Sequence, residues 1–393
     1  MFIKIKNCTP SLYGDDSNRL VAVERIISSY GNRSNIVHCK KNILIELIES
    51  DLYGIRIKKY TEDLLDNKRQ ISSIKVNLDF HIVVDFALDT KICFSEFNDD
   101  VIEIICSYHY FLCPNVELGS FLLSENMRDC DFYAQIGSMY TKYRGGSGYN
   151  VSFQKYSGNG SETFNTFERL ITDSKFVLCL VDNDKSHPYK GEGTTSSHFN
   201  NRVRCLGDGC EVYVLPVREI ESMIPISIIT EVLVGKNDNI SSKRVSKEAR
   251  NLGYDVNSIT TLDKIVELNN MDSNFRKYFD HKEGLNLRKA LDIDENYGLF
   301  WKPFFRNDRL FVTKDCRNRT TCTSFESDDN CNCIFLKGLG NNILEHSLPY
   351  IKTSSLPNLL QDMPDEMKDH WLTIGQKMMS WGCALAEKKD RAA

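Results

Sequence analysis

The chain has no apolar run near the ~18–20 consecutive residues that a membrane-crossing helix needs. Its first residues, MFIKIKNCTPSLYGDD, contain no long apolar core of the kind a signal peptide carries. A cytoplasmic protein without a membrane partner is expected. Net positive charge is also missing, since the balance is −5 at pH 7. The molecule as a whole therefore does not advertise nucleic-acid binding, and any such contact is left to local basic stretches. No G-x4-G-K-[ST] pattern occurs, which excludes a P-loop nucleotide site. Internal repeats and long low-complexity tracts are absent too.

What is present is globular. The 393 residues are 41% hydrophobic and 26% charged, enough for proper cores. Fourteen cysteines are many for a cytosolic chain. Cys93, Cys106, Cys113 and Cys179 stand alone in apolar surroundings and read as buried thiols. Cys316, Cys322, Cys331 and Cys333 form the densest group, spaced C-x5-C-x8-C-x-C. Four thiolates can hold a structural zinc. This spacing departs from paired short knuckles, and unrelated thiols on a hairpin are the alternative.

Three segments differ in rhythm. Residues 1–115 form a mixed α/β N-terminal domain. Met1 to Lys6 alternates as a strand does, Asn18 to Tyr30 is amphipathic and helical, and Lys75 to Ala87 reads as a strand. Val101 to Phe111 fits helix or strand. Residues 116–230 alternate strand and helix. Strands are expected at 119–124, Val151 to Tyr156, Phe176 to Val181 and 211–215. Helices are expected from Asp129 to about Tyr143, from about Glu162 to Ile171, and near Arg218. That order implies an α/β fold with a parallel sheet and right-handed crossovers. Residues 231–393 are mostly helical, with a cysteine-bearing insertion at 311–335. A basic run, Ser242 to Arg250, followed later by Arg276, Lys277 and Lys282, is either a rim for a nucleic-acid backbone or a solvated helix face. His370 to Leu385 carries Trp371, Ile374, Met378, Met379 and Trp381 at helical spacing, as a core helix does.

Acids follow the strands of the middle segment. Glu125 and Asp129 come after Phe121-Leu122-Leu123, Asp182 and Asp184 after FVLCLV, and Glu219 and Glu221 after VYVL. In parallel α/β sheets ligands bind at the carboxyl ends of the strands. Carboxylates converging there repel unless a divalent cation lies among them. The pattern reads as a magnesium site and hence as phosphate chemistry.

Four elements in order resemble the Toprim domain of topoisomerases, primases and OLD-family nucleases, and most closely its OLD-like branch. LLSENMRDCDFY matches the opening strand, Glu, three residues, Asp and aromatic pair, with Asn126 where the family usually has glycine. YSGNGSETF matches a Gly-rich turn, with Gly158, Gly160 and Ser161 as phosphate-binding candidates. LVDNDK matches strand-Asp-x-Asp. LPVREIESMIP looks like the REIEN segment, with Glu221 as the matching acid and Glu219 beside it. The likeness covers the segment 116–230 and leaves its flanks unexplained.

The resemblance implies a Rossmann-like Toprim core acting as a Mg2+- or Mn2+-dependent endonuclease with two ions. Glu125, Asp129, Glu219 and Glu221 would help hold one or both, and Asp182 and Asp184 the other or a bridge. Glu125 is alternatively a general acid–base. Lys185 would neutralise the phosphate in the transition state, or be an ordinary surface lysine. The implied role is effector of a prokaryotic anti-phage system, cutting DNA or RNA, tRNA included. With no P-loop in this chain, regulation would fall to a separately encoded ATPase or a retron-type complex. A non-catalytic Toprim scaffold or sensor subunit, binding nucleic acid or an ATPase partner, is the rival reading, and Asn126 is its one hint. A topoisomerase would need a nucleophilic tyrosine on a DNA-gate domain, and nothing singles one out of seventeen. A primase would carry a zinc-binding cysteine set, which residues 1–115 lack. His187 and His198, in the loop after Asp184, are candidates for phosphate contact or ordinary loop residues. Arg33 and His38 share the R-x4-H spacing of HEPN ribonucleases, which chance also produces.

Overall fold

The computed structural model describes residues 1–98, 101–113, 115–199, 206–234, 268, 271–305, 312–314 and 334–386. The chain separates into two compact units. The first comprises Met1–Val181, His198–Tyr213 and Trp371–Ala393, and the second Asp182–Ser197 and Val214–His370. Neither coincides with the segments 1–115, 116–230 and 231–393 read from the sequence.

The first unit holds a five-stranded sheet built from β1 (Phe2–Lys6), β2 (Ile36–His38), β3 (Phe80–Asp85), β4 (Cys93–Asn98) and β5 (Val101–Ser107), in the order β2-β1-β3-β5-β4. β1 runs parallel to β2 and β3, and β3 parallel to β5; β4 closes the edge antiparallel to β5. All six residues of β3 are buried, as a central parallel strand covered on both faces requires. Residues 75–87 thus contribute a shorter strand than expected, preceded by the tight turn Ile74–Asn77. Val101 to Phe111 resolves as strand through Ser107 and then a turn. The helix Ser17–Gly31 starts where Asp16 accepts from the Arg19 N–H, and it buries Val23, Ile26, Ile27 and Tyr30.

A second sheet comprises β6 (Ser120–Ser124), β8 (Phe153–Ser157), β9 (Val177–Val181) and β10 (Cys210–Val214), in the order β10-β9-β6-β8. β6 is parallel to both β8 and β9. Read from β8, this is the 2-1-3-4 order of a doubly wound sheet, whose switch point falls between β6 and β9. The protein is therefore mixed α/β with parallel-rich sheets, and the coarse fold expectation holds.

The strand expected over Val151 to Tyr156 is two strands. β7 (Tyr149–Val151) pairs antiparallel with β14 (Cys383–Leu385), while β8 pairs with β6. Ser152 marks the break, its N–H donating to Gly382 O at 2.8 Å. Any Cβ at Gly382 would lie 2.1 Å from the Phe153 ring, so the close approach needs glycine. The helix Asp365–Gly382 buries Trp371, Ile374, Met378, Met379 and Trp381. Trp371 packs edge-on against Phe132 at 5.6 Å, and Trp381 Nε1 donates to buried Glu211 at 2.7 Å. This stretch is core, as its spacing implies.

The second unit carries a three-stranded antiparallel sheet, β11 (Gly284–Asn286), β13 (Ile334–Lys337) and β12 (Val312–Lys314), with β13 in the middle. Among its described residues the helix Leu287–Tyr297 packs on this sheet, and the helices Ile226–Val234 and Ile343–Thr353 pack on each other. No helix among the described residues is long and apolar enough to cross a membrane. Cys316, Cys322, Cys331 and Cys333 lie outside the described residues, and so does the basic run 242–250.

Candidate active site

In the first unit, Glu125 follows β6 directly and is half-buried. Asn126 caps the helix Met127–Gly145. Its Oδ1 accepts from the N–H groups of Arg128 at 2.9 Å and Asp129 at 3.2 Å, and Asp129 Oδ2 accepts from the Asn126 N–H at 3.1 Å. This is a complete capping box. With φ of −140° Asn126 is ordinary extended backbone, so no glycine is needed there. Asp129 is 4% exposed and thus has a structural duty in addition to any metal duty. Ser124 Oγ donates to Leu180 O at 2.8 Å, tying β6 to β9.

The Gly-rich turn is spent differently from the expectation. The Gly158 N–H donates to Ser124 O at 2.7 Å and the Gly160 N–H to Glu125 O at 3.3 Å. These two amides fasten the turn to the end of β6 and are not open to an anion. Gly158 is required by contact, because a Cβ there would lie 2.2 Å from Thr163 Oγ1. Ser161 is exposed.

In the second unit, Asp182 and Asp184 follow β9 in the chain. Asn183 Oδ1 accepts from the Lys185 N–H at 2.9 Å, and Asn183 O from the Gly193 N–H at 2.9 Å. Asp184 has a left-handed φ of 55°, a conformation that costs a non-glycine residue about 1 kcal/mol or more. Its N–H donates to Arg218 O at 3.0 Å. The packed surroundings raise its carboxyl above the usual range, opposed by Arg218, Lys282 and Lys190. A Cβ on Gly193 would lie 2.4 Å from Asp184 Oδ2, so that loop comes close only as glycine.

No regular helix begins at Arg218. Glu219 is extended, a single tight turn spans Ile220–Met223, and the helix follows at Ile226–Val234. The turn buries both acids, with Glu219 6% and Glu221 2% exposed. Desolvation, reinforced by Glu221, pushes the Glu219 carboxyl up to about 8. Desolvation also raises Glu221, against the pull of Lys282. Lys282 Nζ lies 3.1 Å from Glu221 Oε2 and 3.8 Å from Glu219 Oε2. The charges of Glu221, Glu219 and Asp182 raise the Lys282 ammonium against its own desolvation. Glu219 also accepts from the His281 N–H. Burial lowers the His281 ring to about 3, so it stays neutral and adds no charge. Arg218 Nη2 pairs with Asp280 Oδ2 at 2.7 Å.

Lys282, read from the sequence with Arg276 and Lys277 as part of a basic rim or solvated face, instead pairs with the buried acids. It follows no strand of the middle segment and matches no motif, and only folding brings it to the acids. His187 is structural. It is fully buried, its Nε2 lies 2.9 Å from Gly298 O, and its Nδ1 accepts from the Tyr189 N–H at 3.1 Å. His198 packs its ring near Phe164. Arg33 and His38 do not share a helix start, since Arg33 has a left-handed φ of 58° and His38 ends β2.

The second unit's donor set suits a hard divalent cation: carboxylate oxygens, desolvated and mutually repelling, around a position already claimed by one ammonium. Among the described residues no three His, Cys, Asp or Glu side chains are already arranged to hold a metal ion. An arriving ion would have to draw the carboxylates together. No protein-family model matches the chain, and neither a curated protein nor a solved structure matches it.

Proposed function

We propose that the protein is a Mg2+- or Mn2+-dependent endonuclease with a Toprim-type core, hydrolysing phosphodiester bonds of DNA or RNA. The observation that carries this reading is the buried pair Glu219 and Glu221, held at raised affinity for protons beside Lys282 and the Asp182 charge. Buried acids kept in this state are poised for a cation or for proton transfer, and such perturbed groups cluster at functional sites. The order of the second sheet supports it, with Glu125 and Asp182 the first residues after the two switch-point strands β6 and β9.

On this reading Asp182, Asp184, Glu219 and Glu221 of the second unit supply oxygen ligands, and the family resemblance alone adds Glu125 and Asp129 of the first. When bound, the divalent ions would supply an activated water and charge to stabilise the leaving oxygen. Glu125, if not a ligand, would instead take or return a proton at the attacking water. Lys282 and Lys185 balance negative charge on the scissile phosphate. The turn Ile220–Met223 holds Glu221 in place, and the Asp184 N–H is anchored on Arg218 O.

The scaffold reading loses its one hint, because Asn126 is accounted for as a helix cap. The biological role rests on the family resemblance: effector of an anti-phage system, cytoplasmic, under a separately encoded ATPase or a retron-type complex. The decisive experiment is cleavage of plasmid DNA and total tRNA with Mg2+ or Mn2+, comparing wild type with Glu125→Ala and Asp182→Ala. Cutting by wild type alone is the expected result and names the substrate. Equal cutting by wild type and both variants would sink the assignment.

A further inference from the structure

The second unit contains a cavity of about 40 Å³ whose lining includes none of the acids discussed above. By the rule that one water needs roughly 10–15 Å³ of such space, it accommodates a few non-hydrogen atoms. One wall is Arg276, 7% exposed. Its Nη2 donates to Ile224 O at 3.1 Å and Ser222 O at 3.5 Å, while its Nε is buried and makes no hydrogen bond. No carboxylate among the described residues pairs with it.

Burial lowers the Arg276 guanidinium to about 10, which still leaves it charged at neutral pH. A desolvated cation answered only by carbonyls is an unfavourable arrangement, and buried charges are ordinarily paired. The neighbouring Lys277 is already paired, with Glu366 at 3.0 Å. His370, also on the wall, keeps a buried Nε2 without a hydrogen bond, 3.8 Å from Glu366 Oε1, and burial lowers its ring below the usual range. The rest of the wall mixes apolar Val217, Met223, Pro364 and Met367 with Ser222, Ser273 and Glu366, whose carboxylate is answered by Lys277.

We propose that this cavity is a binding site for a small carboxylate with a short alkyl body. The carboxylate oxygens accept from the free Arg276 donors, and the alkyl group lies against Met223, Pro364 and Met367. The charge of the ligand supplies the counter-ion that the chain omits, and its size follows from the cavity.

Thermal unfolding of the full chain at fixed ionic strength tests this, with propionate, propionamide and inorganic phosphate as probes. Propionate is expected to raise Tm progressively with concentration, as a ligand of the native state does, and the neutral amide is not. Arg276→Met is expected to abolish that rise and to raise Tm without ligand, because it removes a buried charge that no carboxylate among the described residues pairs. Met367→Phe fills the cavity while keeping Arg276 and is expected to abolish the rise as well. It decides the matter if the arginine variant does not fold. Equal shifts from propionate and propionamide, a response surviving in Met367→Phe, or stabilisation by phosphate alone would each overturn the proposal. No metal or nucleic acid enters these measurements, so the outcome is independent of the nuclease reading.

Discussion

Lys282 Nζ lies 3.1 Å from Glu221 Oε2, in a turn where Glu221 is 2% exposed. This contact joins residues 61 positions apart (282 − 221) and provides the positive charge nearest a buried acidic pair.

Lys282→Met is expected to destabilise the fold by about 2 kcal/mol near neutral pH. That is below the roughly 3–5 kcal/mol for breaking a fully buried pair, because the lysine is a third exposed. Added Mg2+ should restore part of the loss, since a divalent ion answers the same carboxylates. Urea unfolding with and without Mg2+ measures both effects, and no loss in the variant would show the pair to be energetically idle.

The Glu219 carboxyl is raised to about 8 in the folded state, against an ordinary value of 4.5. The native state therefore holds a proton that the unfolded chain has released. Its contribution to stability is complete below the unfolded value and is lost as pH rises through the folded one. Stability should fall as pH increases from 4.5 toward 8 on account of this group. Glu219→Gln should flatten that slope and keep an acceptor for the His281 N–H. Tm against pH for the two proteins checks it, and parallel curves would refute the assignment.

Asn126 is held by its capping box and has no need of glycine. Asn126→Ala is expected to cost about 1 kcal/mol and Asn126→Gly only a few tenths. Chemical denaturation of both variants gives the comparison, and a gain in stability with glycine would mean that the family's usual residue suits this turn better.

Glu211 is 6% exposed and is shared by Lys377 and Trp381. Trp381→Phe keeps most of the ring volume but removes the donor to Glu211 Oε2. A loss of about 1–3 kcal/mol is expected from the unsatisfied oxygen. Glu211→Gln with Trp381→Phe in a double-mutant cycle separates the hydrogen bond from the packing.

The local elements were legible where period and length agreed. Ser17–Gly31 shows a helical stripe closed by an N-cap, and Val177–Val181 is a short apolar run too brief for a helix. The break at Ser152 was not legible, because Val151 to Tyr156 alternates like one strand. Only pairing with two different partners, β14 and β6, divides it. The Gly-rich turn carried the right residues, but where its amides point depends on the carbonyls at the end of β6. His187 looked like any loop histidine until its burial against Gly298 was known.

Sequence alone determined the α/β class, the order of acids behind the strands and the absence of a long apolar span. These depend on spacing along the chain, which hydrophobic periodicity reports directly. Tertiary structure decided which groups share an environment: Lys282 with Glu219 and Glu221, Trp381 with Glu211, and Arg276 with the carbonyl oxygens of Ser222 and Ile224. Burial and proximity set those charges and proton affinities, and both arise from contacts between residues far apart in the chain.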